Sequence, residues 1–434
     1  MSQRLKAARA VLSEVAEHLQ ADFCAVLWNG EVVPLREGAR DDLRLVITSP
    51  NVLRRFFLAP GLPTFVKLLA AEELRLEGGS PLEFSERWDH GRAMHLLKRI
   101  NRGVIAKSAL PFLLSSRDDA QALPGYMKAP GGKHEERDDQ EMISFHYDVS
   151  NAFFALFLDE AMVYSNGYYK TGEETLEVAQ QQKLDLICRK LRLKPGERLL
   201  DIGCGWGALA CHAAQHFGAH VDGFTLSKEQ LAFAQTRVDA FGLSDKITLH
   251  LADYRSLEGQ RGVYDKIAQV EMFEHVGWEN FDTHFELVRN LLKPQGLYYH
   301  QATTRRGGKD LSQFRKPTGA MTFITTHIFP GGELDYVGNT VTNMGRLGLE
   351  VLDVECLREH YIKTISAWER RLAANKEAAI AEAGRARTLF WQIYFTLFYV
   401  GFKRASASNY AIVASRRAPG LTGVPLDRGA LYNP

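Results

Sequence analysis

The sequence predicts an α/β fold, in which a mostly parallel sheet carries helices on both faces and a smaller α+β domain comes before it. Helical and strand patterns alternate from residue 173 to residue 302, which is typical of a doubly wound sheet. The first of these strands ends in a glycine-rich turn at 203–207. A polar segment rich in Pro, Gly and charge at 115–142 is predicted to be the linker between two domains.

The composition is that of a folded protein with several domains. The chain has 434 residues, of which 45% are hydrophobic and 24% are charged, so about two to three domains are expected. Its 53 basic and 52 acidic residues give a net charge of +1, which argues against nucleic acid as a partner. The five cysteines are scattered without a CxxC pair, so neither a disulfide framework nor a metal site is predicted.

The first residues do not resemble a secretory signal, because 1–19 is amphipathic and carries charge throughout. The longest apolar stretch, WQIYFTLFYVGF at 391–402, is shorter than the roughly 20 residues that cross a bilayer. We therefore expect a cytoplasmic protein without a transmembrane span.

The smaller domain is predicted at 1–114. Its elements in chain order are a helix at 4–20, a hairpin with strands at 22–28 and 31–35, a strand at 43–50, and helical patterns from about 52 to 114. Asn29-Gly30 favours the tight two-residue turn of the hairpin. The basic segment RWDHGRAMHLLKRINR at 87–102 has two interpretations, a solvated helix packed on its own domain or a helix attracted to anionic lipid headgroups.

The larger domain is predicted at 143–415, with a loose tail at 416–434. Its helices are expected at 173–191, 207–217, 228–241 and 280–292, and its strands at 198–202, 219–224, 247–251, 264–270 and 296–302. Helical patterns dominate 358–404. The long apolar stretch at 391–402 suits the lining of an acyl tunnel and suits a buried helix equally well.

The glycine turn predicts a ligand at the carboxyl edge of the sheet. The strand RLLDI ends at Gly203-x-Gly205-x-Gly207, where glycines let the backbone approach a ligand closely. This spacing differs from G-x-G-x-x-G, whose turn holds a pyrophosphate. A tighter turn with Asp201 before it suits S-adenosylmethionine (SAM), which has an amino-acid tail and a sulfonium instead of phosphates.

Two more polar segments follow the second and third strands of this sheet. They are GFTLSKEQ at 223–230 and LADYRSL at 251–257. Thr225 and Gln230 can hydrogen-bond a ribose or methionyl group, and Asp253 can accept from an adenine amino group. Taken singly, each residue also suits an ordinary helix cap or turn.

With these motifs the chain resembles the cyclopropane-fatty-acyl-phospholipid synthases and their mycolic-acid-modifying relatives over about 145–415. The matching segments in order are FHYDVSNAFFALFLD, YSNGYY, LDIGCGWG, GFTLSKEQ, DYRSL, MFEHVG, HIFPGG and HYIKTISAWERR. Residues 22–114 look like the amino-terminal, membrane-associated domain of the longer members, although a GEAYMDG-type segment near 70–80 is absent. The resemblance implies a seven-stranded class I methyltransferase domain (Rossmann-like) with helical acyl-binding insertions.

The resemblance also implies an activity and a cofactor site. Such enzymes transfer the methyl group of SAM to a carbon–carbon double bond of an unsaturated acyl chain in membrane phospholipid, through a carbocation. The cofactor-binding positions that it implies are Tyr164, Ser165, Asp201, Gly203, Gly205, Gly207, Thr225, Gln230, Asp253 and Tyr254. Aromatic faces can stabilise the cation, and the candidates are Tyr168, Phe273, Tyr299 and Tyr361.

In the family a bound bicarbonate is assigned as the base that removes a proton from the cation. The matched positions imply Glu274, His300 and Tyr361 as its holders, with a Cys of a YSC motif and backbone near HTI. This chain departs from the pattern at two of these places. The Cys position is Asn166, and we match HTI to His300-Gln301-Ala302.

Glu271 is the most informative departure. Ring-forming relatives have glycine there, as in VGMFEH, whereas this chain has VEMFEH. An ionised Glu271 would take the place of bicarbonate and would repel Glu274 unless the two share a proton. We hypothesise that Glu271 changes the fate of the cation from a cyclopropane to a methylated alkene or an alcohol. The alternative is that Glu271 points at solvent or binds the ribose.

Other functions stay open from the sequence. Plant alkaloid N-methyltransferases share this scaffold, so a small-molecule N-methyltransferase is one alternative. A lipid-binding protein without turnover is another. The lipid interpretation predicts a peripheral position on the inner face of the membrane, while a homodimer, the headgroup and the double-bond position stay undetermined.

Overall fold

The structure, a computed structural model, describes residues 2–113, 150–308, 314–329, 331–422 and 424–429. The chain divides into two compact units. The first comprises Met1–Lys128, Thr318–Ile328 and Glu369–Val400, and the second comprises Ala129–Pro317, Phe329–Trp368 and Gly401–Pro434. The segments Thr318–Ile328 and Glu369–Val400 thus belong to the first unit, whereas the predicted domains were each one continuous stretch of sequence. The predicted linker at 115–142 lies outside the described residues.

The first unit contains a four-stranded sheet in the order β2-β1-β3-β4. The strands are β1 (Cys24–Val26), β2 (Val32–Pro34), β3 (Arg44–Ile47) and β4 (Leu74–Glu77). The predicted hairpin is present, with β1 and β2 antiparallel and Gly30 at a φ of 85° in the turn between them. Strand β4 was not predicted, because LRLE is too short to show alternation against its helical neighbours.

Within residues 2–113, six helices accompany this sheet. They are α1 (Gln3–Leu19), α2 (Pro50–Leu58), α3 (Leu62–Ala70), α4 (Pro81–Glu86), α5 (His90–Arg99) and α6 (Arg102–Leu113). Ser2 begins α1 because its hydroxyl accepts from the Leu5 N–H at 3.3 Å, and the helix buries Ala8, Val11 and Leu12.

The second unit is built on a seven-stranded sheet in the order β10-β11-β9-β8-β5-β6-β7, which confirms the predicted α/β class. The strands are β5 (Arg198–Ile202), β6 (His220–Thr225), β7 (Ile247–Leu251), β8 (Tyr264–Val270), β9 (Leu292–Arg305), β10 (Leu349–Cys356) and β11 (Ala407–Arg416). The five strands β5 to β9 run parallel, and β11 is antiparallel to both of its neighbours. The motifs that directly follow β5, β6, β7 and β8 therefore lie at one edge of the sheet.

Helices cover both faces of this sheet, as a doubly wound fold requires. Those in the first part of the unit are α7 (Asn151–Ala155), α8 (Leu176–Lys190), α9 (Ala208–Phe217), α10 (Lys228–Ala240) and α11 (Phe281–Leu291). Ile187 and Ala210 pack in one apolar cluster, whereas Phe285 and Val288 pack in another on the opposite face. From α8 onward these bounds match the predicted helices to within a few residues.

The remaining helices are α12 (Gly319–His327), α13 (Val337–Arg346), α14 (Arg358–Ala374), α15 (Lys376–Ala383) and α16 (Arg385–Lys403). The apolar stretch 391–402 lies in α16, where Trp391, Phe395 and Phe402 are buried. Among the described residues, no helix combines the length and the apolar character that a bilayer crossing needs. In the tail, the Arg428 guanidinium donates to the Leu352 carbonyl at 3.0 Å.

Candidate active site

A cleft of about 1440 Å³, part of it open to solvent, lies at the carboxyl ends of β5, β6 and β8. Nine of the ten predicted cofactor-binding residues line it, namely Tyr164, Ser165, Asp201, Gly203, Gly205, Thr225, Gln230, Asp253 and Tyr254. Gly207 is not among the lining residues. It caps the amino terminus of α9, with a φ of 79°. A methyl group at Gly207 would lie 3.0 Å from the Ala234 side chain, so its smallness serves helix packing.

At Gly205 the absence of a side chain leaves room for a ligand and is not needed for packing within the protein. Its φ is 53°, and a methyl group built on it would meet no protein atom within 4 Å. The space beside its backbone is therefore open to the cleft, where a ligand can approach the turn closely.

Asp201 provides an acceptor for a positively charged group in the same cleft. The side chain is buried, and its Oδ2 has no hydrogen-bond partner among the described residues. Burial raises the pKa of Asp201 to about 7, and the charge of Lys183 opposes this rise. A buried acceptor without a donor fits the ammonium of an amino-acid tail, which is the chemistry that SAM brings.

The polar residues after β6 and β7 form hydrogen bonds with one another. The Thr225 hydroxyl donates to Gln230 Oε1 at 2.9 Å. Arg255 donates to both Asp253 oxygens, through its backbone N–H at 2.8 Å and its Nε at 2.9 Å. The predicted contacts of these residues with ribose, methionyl or adenine groups stay predictions.

Glu271 lies directly after β8 and lines the cleft. Its φ is 53°, a left-handed backbone that favours glycine and that costs other residues about 1 kcal/mol or more. Its carboxylate accepts from Gln301 Nε2 at 3.2 Å, from the Thr303 hydroxyl at 2.9 Å and from Asn409 Nδ2. Three donors on one carboxylate hold it in a single orientation.

Glu274 lies near Glu271 but differs from it in burial and in hydrogen bonding. It is buried, and its Oε1 accepts from the Thr303 N–H at 2.6 Å, whereas its Oε2 has no partner within the described part of the chain. Burial, with the neighbouring charge of Glu271, raises the pKa of Glu274 well above its ordinary value. The surroundings of Glu274 therefore favour its protonated form.

A chain of amides fixes the orientation of these groups. The Tyr299 hydroxyl donates to Gln301 Oε1 at 2.8 Å, which leaves Gln301 Nε2 to face Glu271. The same Nε2 donates to Asn166 Oδ1 at 2.5 Å. Asn166, the position matched to the family Cys, is thus connected to Glu271 through Gln301.

His300 is not brought to this cluster. Its Nδ1 lies 3.1 Å from the Tyr298 hydroxyl, and its ring packs edge-to-face on Phe273 at 4.8 Å. Burial lowers the pKa of His300 to about 3, so the ring is neutral. Adjacent residues of β9 point to opposite faces of the sheet, so the Gln301 side chain reaches Glu271 and the His300 side chain does not. The role of His300 in holding bicarbonate stays a prediction.

Tyr361 does not line the cleft, but a ring contact with Trp368 connects it to Tyr164 in the cleft wall. Its ring is 6.1 Å from that of Trp368, which in turn lies 5.2 Å from Tyr164 in the cleft wall. None of the four predicted aromatic candidates lines the cleft. The aromatic residues that do are Tyr164, Trp206, Phe224 and Tyr254.

Three residues of the site were not predicted from the sequence, namely Lys183, Thr303 and Asn409, and Gln301 was predicted only as part of the segment matched to HTI. Signals for them were present in the patterns. Lys183 is a charged residue on the apolar face of α8, beside Ala179, Leu184 and Ile187. Gln301 and Thr303 alternate along β9, and they face the same side as Tyr299.

The parallel sheet, the glycine turn and the polar cleft beside it define a class I methyltransferase that uses SAM. Comparison with known proteins then identifies the family. The sequence profile described as mycolic acid cyclopropane synthetase matches residues 134–412, and the chain belongs to this family.

Individual relatives agree with this assignment. The chain is 40% identical over 302 residues to a probable fatty acid methyltransferase of Pseudomonas putida, with 69% of this chain and 75% of the relative covered. It is 32% identical over 393 residues to the probable fatty acid methyltransferase Rv3720 of Mycobacterium tuberculosis, with 88% and 89% covered.

Solved structures agree as well. The cyclopropane synthase MmaA2 from Mycobacterium tuberculosis matches with a TM-score of 0.60 and 29% identity, over 65% of this chain and 100% of that one. The mycolic acid cyclopropane synthase CmaA1, complexed with SAH and CTAB, matches with a TM-score of 0.60 and 32% identity, over 65% and 99%. The protein is therefore a SAM-dependent C-methyltransferase, as the motifs predicted.

Proposed function

We propose that this enzyme transfers the methyl group of SAM to a double bond of an unsaturated acyl chain in membrane phospholipid, and that the product is a methylated alkene instead of a cyclopropane. One observation carries the proposal. Glu271 stands at a left-handed backbone position that favours glycine, which is the residue that the resemblance to ring-forming enzymes implies there, and its hydrogen-bonded carboxylate lines the cleft. A strained non-glycine residue in a site is favoured by function, not by stability.

In this reaction SAM supplies an electrophilic methyl group on its sulfonium. The enzyme has to place an alkene against that methyl group, because an alkene is a weak nucleophile and placement supplies much of the rate. Attack leaves a carbocation on the acyl chain. A negative carboxylate in the cleft stabilises this charge and then takes a proton from a neighbouring carbon.

Glu271 and Glu274 have different roles in this step. Glu271 is the base in this proposal, and it lines the cleft. Glu274 carries the proton, and it lies behind Glu271 against the Thr303 backbone. Because Gln301 and Asn409 donate to Glu271, the carboxylate keeps one orientation. Donors hold both of its oxygens, on Oε1 from Gln301 and Asn409 and on Oε2 from Thr303, so the base is fixed in the cleft wall and takes a proton from a chain carbon held against it.

The relatives support a lipid over an amine as substrate. Their names include fatty acid methyltransferases, sphingolipid C9-methyltransferases and methoxy mycolic acid synthases. Coclaurine N-methyltransferase matches with 20% identity and a TM-score of 0.54, which shows a shared fold only.

We assign peripheral association with the inner face of the membrane to the first unit. Leu58, Leu110 and Leu113 are large apolar residues with 59%, 56% and 41% of their surface exposed. On α5 and α6 the charged residues Lys98 and Lys107 are exposed. Each basic residue near an anionic surface contributes about 1 kcal/mol of attraction. Sedimentation with anionic liposomes tests this, and Leu110→Asp should reduce the bound fraction while the protein stays folded.

The reaction is tested by labelling. The enzyme is expressed in a host with unsaturated phospholipids, methyl-deuterated methionine is supplied, and the modified acyl chains are analysed by mass spectrometry. We expect three deuterons in the added carbon and one remaining double bond. Two deuterons in a saturated ring would overturn the proposed product, and an absence of label in lipid would overturn the substrate class.

A further inference from the structure

Lys183 is a buried cation in the cofactor cleft that the proposed methyl transfer does not use. It lies on α8, is 3% exposed and lines the cleft. Its Nζ donates to Ser165 Oγ at 2.6 Å. Asp159, Asp201 and Glu271 are the acidic groups around it, and their charges oppose the burial that lowers the pKa of Lys183 to about 8. The ammonium is therefore charged at neutral pH.

The direction of the Lys183–Ser165 hydrogen bond is fixed by chemistry. An ammonium has three donors and no acceptor, so Ser165 Oγ has to be the acceptor. The Ser165 hydroxyl hydrogen is then available for another group. Throughout the described ranges, no acceptor lies within hydrogen-bond distance of it, although Ser165 is only 5% exposed and lines the cleft.

The backbone of Ser165 is held in place by the same helix. Gln180, three residues before Lys183 on α8, donates its Nε2 to the Ser165 carbonyl at 2.7 Å. Gln180 and Lys183 of α8 thus donate hydrogen bonds to the backbone carbonyl and to the hydroxyl of Ser165. A serine fixed in this way presents its O–H in a set direction, which reduces the ordering cost of binding an acceptor.

We propose that Lys183 is a positioning residue for the carboxylate of SAM, because it makes Ser165 Oγ an acceptor on one side so that the hydroxyl donates to the ligand on the other. The inference rests on the proposed function for the presence of SAM in this cleft. The charges support it, since Lys183 and Ser165 offer a cation and a donor, while the unpartnered Oδ2 of Asp201 offers an acceptor. This arrangement complements an amino acid, which carries both a carboxylate and an ammonium.

The test measures binding without lipid, so that no turnover takes place. Isothermal titration compares SAM with decarboxylated SAM, which lacks only the carboxylate. The proteins are the wild type, Lys183→Met, Ser165→Ala and the double variant. We expect each single variant to bind SAM about 10- to 100-fold more weakly, the range for losing a hydrogen bond to a charged group. Binding of decarboxylated SAM should change less than about threefold.

The double variant separates positioning from independent contacts. If Lys183 acts through Ser165, the two losses are not additive, and the double variant binds SAM about as weakly as Ser165→Ala. Equal weakening for both ligands in Lys183→Met would overturn the inference, and so would unchanged binding of SAM. Binding of decarboxylated SAM also reports that each variant is folded. If the wild type itself does not bind SAM, the proposed function fails instead.

Discussion

Replacing Glu271 by Gln tests the central chemical claim with little change in shape. The variant keeps the side-chain length and the left-handed backbone, and its Oε1 can still accept from Gln301 and Asn409. Its Nε2 would face the Thr303 hydroxyl, which can rotate to accept. We therefore expect a cost of about 1 to 2 kcal/mol in the free energy of unfolding, from the loss of charge-assisted hydrogen bonds.

The effect on catalysis should be much larger. A positioned base contributes about 100- to 10,000-fold, which is about 3 to 5 kcal/mol of activation free energy. Glu271→Gln also removes the neighbouring charge that raises the pKa of Glu274. The pKa of Glu274 should then fall toward its ordinary value, although burial still opposes this. Glu274 becomes the remaining carboxyl group able to act as a base.

The assay is methyl transfer to liposomes of unsaturated phospholipid at saturating SAM, with the product identified by mass spectrometry. Glu286→Gln is the matched control, because Glu286 is exposed on α11 and loses the same charge. We expect kcat to fall at least 100-fold in Glu271→Gln only, with SAM affinity little changed. A variant with wild-type rate and product would refute the role of Glu271 as base.

Three further predictions concern the cleft and the stability of each unit. Gly205→Val should weaken SAM binding at least about 100-fold by titration, because its side chain enters the cleft, whereas Gly242→Val, at a φ of 63° with open space around it, should not. Lys190→Met should lower the free energy of unfolding in urea by about 3 kcal/mol, since Lys190 pairs with Asp353 at 2.6 Å and Glu355 at 2.8 Å; neutralising both carboxylates should restore it. Burial raises the pKa of Glu369 to about 7, so the folded state keeps a proton that the unfolded chain releases, and stability falls as pH rises from 4.5 to 7. Glu369→Gln should remove this loss, and its stability relative to the wild type should rise by about 3 kcal/mol across that range; a difference independent of pH would contradict the assignment.

Much of the cofactor site could be predicted from the sequence because its information is local. A buried strand, a glycine turn and a helix follow one another in LDIGCGWG, and the carboxyl ends of parallel strands meet at one edge. Nine of ten predicted residues accordingly line one cleft. Glu271 was also found from the sequence, since it replaces a glycine inside a recognisable motif.

What the sequence by itself determined is therefore the class of fold, the ligand edge and the presence of a carboxylate inside the VEMFEH motif. The tertiary structure decided which neighbours act on that carboxylate. Asn409 reaches Glu271 from a strand 138 residues later in the chain, which no local pattern records. The choice between His300 and Gln301 depends on strand register, because a shift of one residue exchanges the two faces of a sheet.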